Sequence, residues 1–391
     1  MDEELPDTHL NLDKIINDLV DINKQNGIEL PEISVVYKDL TVTGSNTIAT
    51  VLKDFSDVFL KPIALVYKYY RRSNDTASQL KKLPKTRKII RNVSGFADPG
   101  TMTLVIGRPG AGCSTYLKAI AGETRTYKNI DGLLSFNGLD VDSVRNFLIY
   151  NPELDIHFPH LTVEQTLRFV ISCTSPKHSD PDATKNFYEL LFSLESVEKT
   201  LVGDDYVRGI SGGERKRVSI AEAMAAAGSV YCFDNATRGL DSNTALHFVQ
   251  ALRIYTNVAR TTSIVSLYQA SENIYNLFDY VSVLYHGRHI YFGPTDSAVK
   301  YFEKLGYLKH PRETSSEFLS SMSDPLARTV DTTYKGNSIP STPDEFEDAW
   351  LNSKEYIDLH SEIDKRLSTF INKPPLSQHP HASYWFELKA C

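Results

Sequence analysis

Cysteine is scarce in this chain, with 4 among 391 residues. Cys113, Cys173, Cys232 and Cys391 lie far apart and show neither the close spacing of a metal site nor a disulfide framework. That excludes a small stapled secreted fold and points to a reducing, cytosolic setting. Long apolar runs are missing too. No segment approaches the ~18 uninterrupted apolar residues of a membrane span, and the nearest, Val58 to Tyr70, is broken by Lys61 and Lys68. The N-terminal MDEELPD has neither the basic nor the apolar region of a signal peptide, so the chain as written is expected to be soluble. Positive charge is in deficit. With 42 Lys+Arg against 49 Asp+Glu the formal net charge is -7, which argues against a nucleic-acid partner held by general electrostatics. No internal repeat is detectable.

What is present is ordinary globular material, 41% hydrophobic and 23% charged. It suffices for one large α/β domain with additions, or for two domains. The most informative stretch is Leu104 to Gly122, LVIGRPGAGCSTYLKAIAG. An apolar run (Leu104, Val105, Ile106) enters a glycine-rich turn and opens into a helical pattern of Tyr116, Leu117 and Ile120. Glycines let successive backbone N–H groups converge, and the positive end of the following helix adds to the field there, so such a turn suits phosphate. The spacing over Gly107, Arg108, Pro109, Gly110, Ala111, Gly112, Cys113, Ser114 and Thr115 fits the P-loop, except that Cys113 replaces its lysine. Taken alone, the stretch fits an ordinary glycine-rich turn about as well.

Leu10 to Ile22 places Leu12, Ile15, Ile16, Leu19 and Val20 at helical spacing, predicting an amphipathic helix packed on the following domain. Pro31 to Thr43 reads as edge strands and Lys88 to Val93 as a further strand, followed by a turn at Asp98-Pro99-Gly100. The stretch between them, Ser45 to Lys85, is more basic and partly helical. Phe147 to Tyr150 predicts a strand, Thr162 with Gln165 a capping box, and Thr166 to about Val207 a mostly helical region. Ser211-Gly212-Gly213 is expected at a helix N-terminus, a second anion-binding point. Ser229 to Phe233 predicts a buried strand ending in Asp234-Asn235, where a carboxylate downstream of a P-loop can hold Mg²⁺ through its water shell. Thr262 to Leu267 reads as a strand ending at Tyr268, and Val281 to Tyr285 with His289 to Phe292 as a hairpin around His286-Gly287.

In order, Gly107 to Thr115, Ser211 to Glu214, Val230 to Asn235 and Gly239 to Asp241 resemble the Walker A, signature, Walker B and D-loop motifs of an ABC-type ATPase. The wording GRPGAGCST, YNPELDIHFPHLTV, SGGERKRVSIAEA and DNATRGLDS is similar to the first nucleotide-binding domain of fungal pleiotropic drug resistance transporters. That likeness runs from about Leu30 to the C-terminus. HPRETSSEFLSSMSDPLAR and TPDEFEDAWLNSKEY resemble the segment joining that domain to the first membrane domain.

The resemblance implies an α/β fold: an ABC-type P-loop ATPase domain with a central mixed or parallel sheet and a helical subdomain, plus N-terminal and C-terminal helical extensions. It implies an N-terminal extension at 1–85, a nucleotide-binding domain at 86–310 with its helical subdomain at about 154–228, and a helical linker at 311–391. The linker would lead toward a membrane domain past SYWFELKAC, so that the chain reads as a fragment or a truncated product. ATP and Mg²⁺ are the implied cofactors, held by Gly107 to Thr115 and Asp234, with Ser114 and Asp234 as metal ligands. Ser211, Gly212 and Gly213 would act on nucleotide across a dimer. The implied partners are a second ABC nucleotide-binding domain and the membrane domains of an exporter, on the cytoplasmic side of the plasma membrane.

Four positions depart from a competent ATPase. Cys113 removes the charge that offsets the phosphates, although backbone N–H groups and Ser114 can still bind. Asn235 stands where a glutamate would polarise the attacking water, and losing a positioned base costs about 10²–10⁴ in rate. Tyr268 stands at the switch-histidine position and Glu153 at that of the Q-loop glutamine. The expectation is ATP binding with no catalytic residue in cis, while the intact signature completes a competent site on a partner. Thr43 and Gly44 offer no aromatic ring for adenine. The alternatives are a soluble ABC-type nucleotide sensor and a non-transport ABC protein. Cys113 itself admits two states: a thiolate favoured by the loop's field, or a neutral thiol filling the lysine's space.

Overall fold

The computed structural model describes residues 12–25, 30–45, 86–174, 181–334, 336 and 338–370. The expectations for Val58 to Tyr70, for most of Ser45 to Lys85 and for the end of the chain with Cys391 lie outside the described residues. In chain order the elements are α1 (Leu12–Gln25), β1 (Val35–Ser45), β2 (Thr86–Ala97), β3 (Met102–Ile106), α2 (Cys113–Ile120), β4 (Asn129–Phe136), α3 (Val141–Val144) and β5 (Leu148–Asn151). There follow α4 (Val163–Thr174), α5 (Pro181–Leu191), α6 (Gly212–Ala225), β6 (Val230–Phe233), α7 (Ser242–Val258), β7 (Thr262–Ser266) and α8 (Glu272–Tyr275). The last are β8 (Tyr280–Tyr285), β9 (Arg288–Pro294), α9 (Thr295–Lys304), α10 (Ser315–Ser321), α11 (Pro343–Leu351) and α12 (Lys354–Phe370).

A six-stranded sheet in the order β5-β6-β7-β3-β8-β9 forms the centre. Its pairs are parallel apart from the β8–β9 hairpin. Strands covered on both faces are apolar without alternation, and β3 and β6 are buried at every position. A second, antiparallel sheet has the order β2-β1-β4. Here the expectation of an edge is corrected. β1 is the middle strand, because Val35, Val36, Tyr37, Leu40 and Val42 are buried from both sides, which leaves the edges to more polar neighbours.

The helical expectation for Thr166 to Val207 holds only in part. α4 and α5 account for its first half, a short 3-10 turn spans Glu195–Val197, and the described residues after it, 198–207, form turns and irregular loop. Thr162 and Gln165 do form the reciprocal capping pair, at 3.0 and 3.2 Å. The loop is irregular because its backbone bonds elsewhere: Val202 N–H to the Leu161 carbonyl and Gly203 N–H to that of Pro159. Gly209 fits because any Cβ there would sit 2.4 Å from the Val202 carbonyl oxygen.

The helices after residue 310 pack back on the sheets. α11 lies against β9, and α12 against β1, β2 and β9. Phe346 of α11 is fully buried, stacked on Tyr307 at 5.7 Å, edge-on to Tyr285 at 5.9 Å, with the Arg328 guanidinium 5.2 Å from its ring centre. Arg288 bonds both Asp344 and Glu347, and Arg366 of α12 bonds Asp98 while lying 3.5 Å from the Phe96 ring centre. Emptying such a site is costly, since Phe→Ala in a core loses about 3–5 kcal/mol. Phe346→Ala is therefore expected to lower unfolding stability by about that much in a denaturant titration. A loss under about 1 kcal/mol would mean that α11 and α12 hang from the domain as a loose linker.

Candidate functional site

Parallel register puts the carboxyl ends of β5, β6, β7 and β3 on one side of the sheet, where ligands of open α/β sheets bind. The residues that follow these strands are Pro152 and Glu153 after β5, Asp234 and Asn235 after β6, Leu267 and Tyr268 after β7, and Gly107 after β3. Segments far apart in the sequence thereby meet at one edge, since β7 pairs with both β3 and β6.

The loop after β3 is tightly held. Ala111 N–H donates to the Arg108 carbonyl at 2.8 Å, and the Ala111 carbonyl accepts from Gly287 N–H, at the tip of the β8–β9 hairpin, at 2.7 Å. The Gly287 carbonyl accepts from Arg91 N–H at 2.7 Å. Only glycine allows that approach: φ is +78°, and a Cβ would fall 1.8 Å from the Ile89 carbonyl oxygen. At the other end, Gly112 caps α2 in the left-handed region with φ 110° and no side-chain hydrogen bond to the helix. The first-turn N–H groups of α2 therefore have no side-chain cap, a setting that favours an anion.

Asp234 is buried and oriented twice. One carboxylate oxygen accepts from Ser266 Oγ at 2.9 Å and the other from the Tyr150 hydroxyl at 2.9 Å. Ser266 Oγ also accepts from Asn235 N–H at 2.9 Å. The Asn235 side-chain amide donates to Glu153 Oε1 at 3.1 Å, and the same oxygen accepts from the Arg238 guanidinium at 2.8 Å. Tyr268, 40% exposed, stands close by: partial burial, then the Glu153 and Asp234 carboxylates, push its phenol up. Asn235, Arg238 and Tyr268 line one cavity of about 560 Å³, together with Gln269, Thr314 and Glu317.

Of the two states that the sequence leaves open for Cys113, its surroundings favour the neutral thiol. The sulfur is buried, and burial together with the Asp234 carboxylate pushes its thiol up to about 12. The field of the helix end is outweighed by desolvation and by the facing carboxylate. The sulfur packs against Gly107, where an added Cβ would meet it at 3.1 Å.

Ser211, Gly212 and Gly213 form the N-terminus of α6 as predicted. Among the described residues no hydrogen bond or ion pair joins them to the loop at 107–115. Ser211 Oγ donates to Glu214 at 2.7 Å in a capping box, and Gly213 faces the Gly239 carbonyl, 3.4 Å from where a Cβ would be. Lower on α6, Lys216 is buried and donates to the Pro152 and Glu153 carbonyls at 3.4 and 3.2 Å and to Asp155 at 3.0 Å. While Asp155 turns inward to Lys216, the alternate residues Leu154, Ile156 and Phe158 are 64%, 83% and 70% exposed.

Tyr150, Ser266, Lys216 and Arg238 were not picked out from the sequence. Ser266 and Tyr150 lie at or next to strand ends, yet only the order of strands makes them neighbours of Asp234. Lys216 carried a signal, a cation on the inward side of a helix whose neighbours Val218, Ser219 and Ile220 are buried.

Residues 90–238 match the model of the family described as ABC transporter. The chain is 42% identical over 352 residues to "Protein SNQ2" of Saccharomyces cerevisiae, covering 87% of this chain and 23% of that protein. It is 41% identical over 375 residues to "ATP-dependent permease PDR12" of the same yeast, covering 91% of this chain and 24% of the relative. With "ABC transporter ATP-binding protein/permease PDR18", also of that yeast, identity is 46% over 325 residues, covering 80% of this chain and 24% of the relative. The chain thus spans about a quarter of the length of these relatives. With motifs, strand order and sequence likeness in agreement, this chain belongs to the ABC transporter family, in the branch of the fungal pleiotropic drug resistance transporters.

Proposed function

We propose that this chain is a nucleotide-binding domain of an ATP-driven exporter, that it holds ATP without cleaving it quickly, and that it lends its signature to a competent site on a second ABC domain. The observation that carries the reading is the group at the strand ends: an open helix N-terminus after a glycine loop, facing a carboxylate fixed by Tyr150 and Ser266. The residues fit the group they would hold. Gly107 to Thr115 supply N–H donors and two hydroxyls, and Ser114 with Asp234 offers oxygen to Mg²⁺. Bound Mg-ATP would bring a phosphoanhydride whose cleavage releases the free energy for export. The protein's own groups do little to speed that cleavage. Asn235 donates to Glu153 rather than accepting a proton, Glu153 is occupied by Arg238, and Cys113 carries no charge. A positioned base contributes about 10²–10⁴ in rate, and none is in place.

The row of Leu154, Ile156 and Phe158 favours a membrane-domain partner over a free-standing sensor. Three large apolar side chains lie exposed on a segment whose other face is fastened to α6 by Lys216. Such patches mark interaction surfaces. The described residues contain no helix long and apolar enough to cross a membrane, and the membrane of this proposal is the plasma membrane.

Isolated chain is expected to bind Mg-ATP in a calorimetric titration with little phosphate release. Brisk ATPase activity lost on Asp234→Asn would refute the degenerate assignment. At pH 8 a thiol with its pKa near 12 is thiolate in roughly one molecule in 10⁴. Half-buried Cys173 is therefore expected to react with iodoacetamide well before Cys113, as read by peptide mapping. Preferential labelling of Cys113 would contradict its neutral, buried state. In a full-length transporter containing this domain, Gly213→Asp is expected to suppress ATPase activity severely and Cys113→Lys to change it far less. The opposite ranking would reverse which site is competent.

A further inference from the structure

The loop at 107–112 lacks its lysine, yet it is not without a cation. Among the described residues Lys216 is buried against Pro152, Glu153 and Asp155, and three further basic side chains stand near the site. Lys118 sits over the Tyr150 ring, 5.6 Å from its centre, and Arg238 is bound to Glu153 at 2.8 Å. The third, Arg108, is part of the loop itself. Its guanidinium pairs with Asp324 at 3.1 Å, and its backbone N–H donates to Ser323 Oγ at 3.1 Å. The two contacts differ in kind. Ser323 is buried and in turn donates to the Ser320 carbonyl at 2.8 Å, so the backbone contact is a fixture. The charge pair is open to water, with side chains 53% and 25% exposed, and an ion pair in that setting contributes little to stability.

Deepening the nucleotide-binding reading above, and resting on it, we infer that Arg108 is the cation that replaces the missing lysine, and that Asp324 is its resting counter-charge. The loop's own turn brings this residue near the phosphate cradle. Ala111 N–H bonds the Arg108 carbonyl at 2.8 Å, which closes a tight turn with the two Cα atoms within ~7 Å. A guanidinium matches phosphate oxygens with paired N–H donors, a stronger partnership than a solvated carboxylate contact. Phosphate arriving at the loop exchanges one anionic partner of Arg108 for another. Asp324 then competes with nucleotide for the same charge, so the segment after α10 sets the affinity of the loop. Ser323, holding the backbone, keeps the loop in shape through the exchange.

The sign of one substitution separates this from a clamp in which Asp324 merely steadies the loop. Mg-ATP affinity is measured by calorimetry on the whole chain at several salt concentrations. Arg108→Ala is expected to weaken binding about tenfold, as loss of one charge-assisted contact does, while Arg108→Lys keeps most of it. Asp324→Asn is expected to tighten binding about two- to fivefold by freeing the guanidinium, and to have no effect in the Arg108→Ala background. Cys113→Lys is expected to restore affinity to Arg108→Ala. Thermal melting without nucleotide checks that each variant is folded. Weaker binding by Asp324→Asn, or affinity indifferent to Arg108→Ala, overturns the inference and leaves the nucleotide reading standing. Absence of any Mg-ATP binding by the unaltered chain overturns that reading, and this inference with it.

Discussion

β6 lies hydrogen-bonded between β5 and β7, in parallel with both, and everything at the site depends on that placement. The strand has only four residues, all buried, and its last backbone bonds deliver Asp234 to a point where Tyr150 reaches it from one side and Ser266 from the other. A carboxylate taken out of water needs such partners, since an unpaired buried charge is among the most costly features a fold can carry. The same Ser266 hydroxyl accepts from Asn235 N–H, so one side chain fixes both residues. Shifting the register by one residue would turn the carboxylate into the opposite layer.

The charges around this carboxylate are paired with one another. Glu153 accepts from an amide and a guanidinium on one carboxylate oxygen, and burial and Asp234 both disfavour the anion of Cys113. No lysine stands in the loop. What the site retains is geometry: a glycine loop pinned by the hairpin at Gly287, and a helix whose N-terminus no side chain caps. Converging donors of this sort suit an anion, whereas hydrolysis also needs a group to take a proton.

How much of this was legible in the sequence depends on the range of the interaction. The loop, the strand ending at Asp234, the Thr162 cap and the hairpin are encoded by neighbours within a few residues, and each stands where periodicity and turn chemistry placed it. Tyr150 and Ser266 lie 84 and 32 residues from the Asp234 they orient. No local pattern marks them, because strand order alone makes them neighbours. β1 misled for a related reason: an apolar run says that a strand is buried, not whether it sits at the edge or the middle of its sheet. Cys113 was left open between two states for a different reason. The helix field was visible in the sequence, whereas the depth of burial and the facing carboxylate were not.

The segment past residue 310 shows where reading by resemblance underdetermines physics. Its wording resembles a connector, yet its short helix α10 touches both halves of the site. Ser315, at the start of α10, bonds Glu272 through its N–H at 2.7 Å and through its hydroxyl at 2.8 Å, and Glu272 opens the helix that follows Tyr268. Just past the other end of α10, Ser323 and Asp324 take hold of Arg108 in the loop. Thr314 and Glu317, reciprocally bonded in a capping box, line the same cavity as Asn235 and Tyr268. A short helix bonded at its start to Glu272, and followed directly by residues that bond the loop, links the position of the loop to that of the helix after Tyr268. Beyond α10, Phe346, Arg288 and Arg366 anchor α11 and α12 to the sheets and to the residues around them. The packed helices therefore belong to the same body as the site, and the exposed Leu154, Ile156 and Phe158 stand apart from them, on a segment that Lys216 fastens to α6.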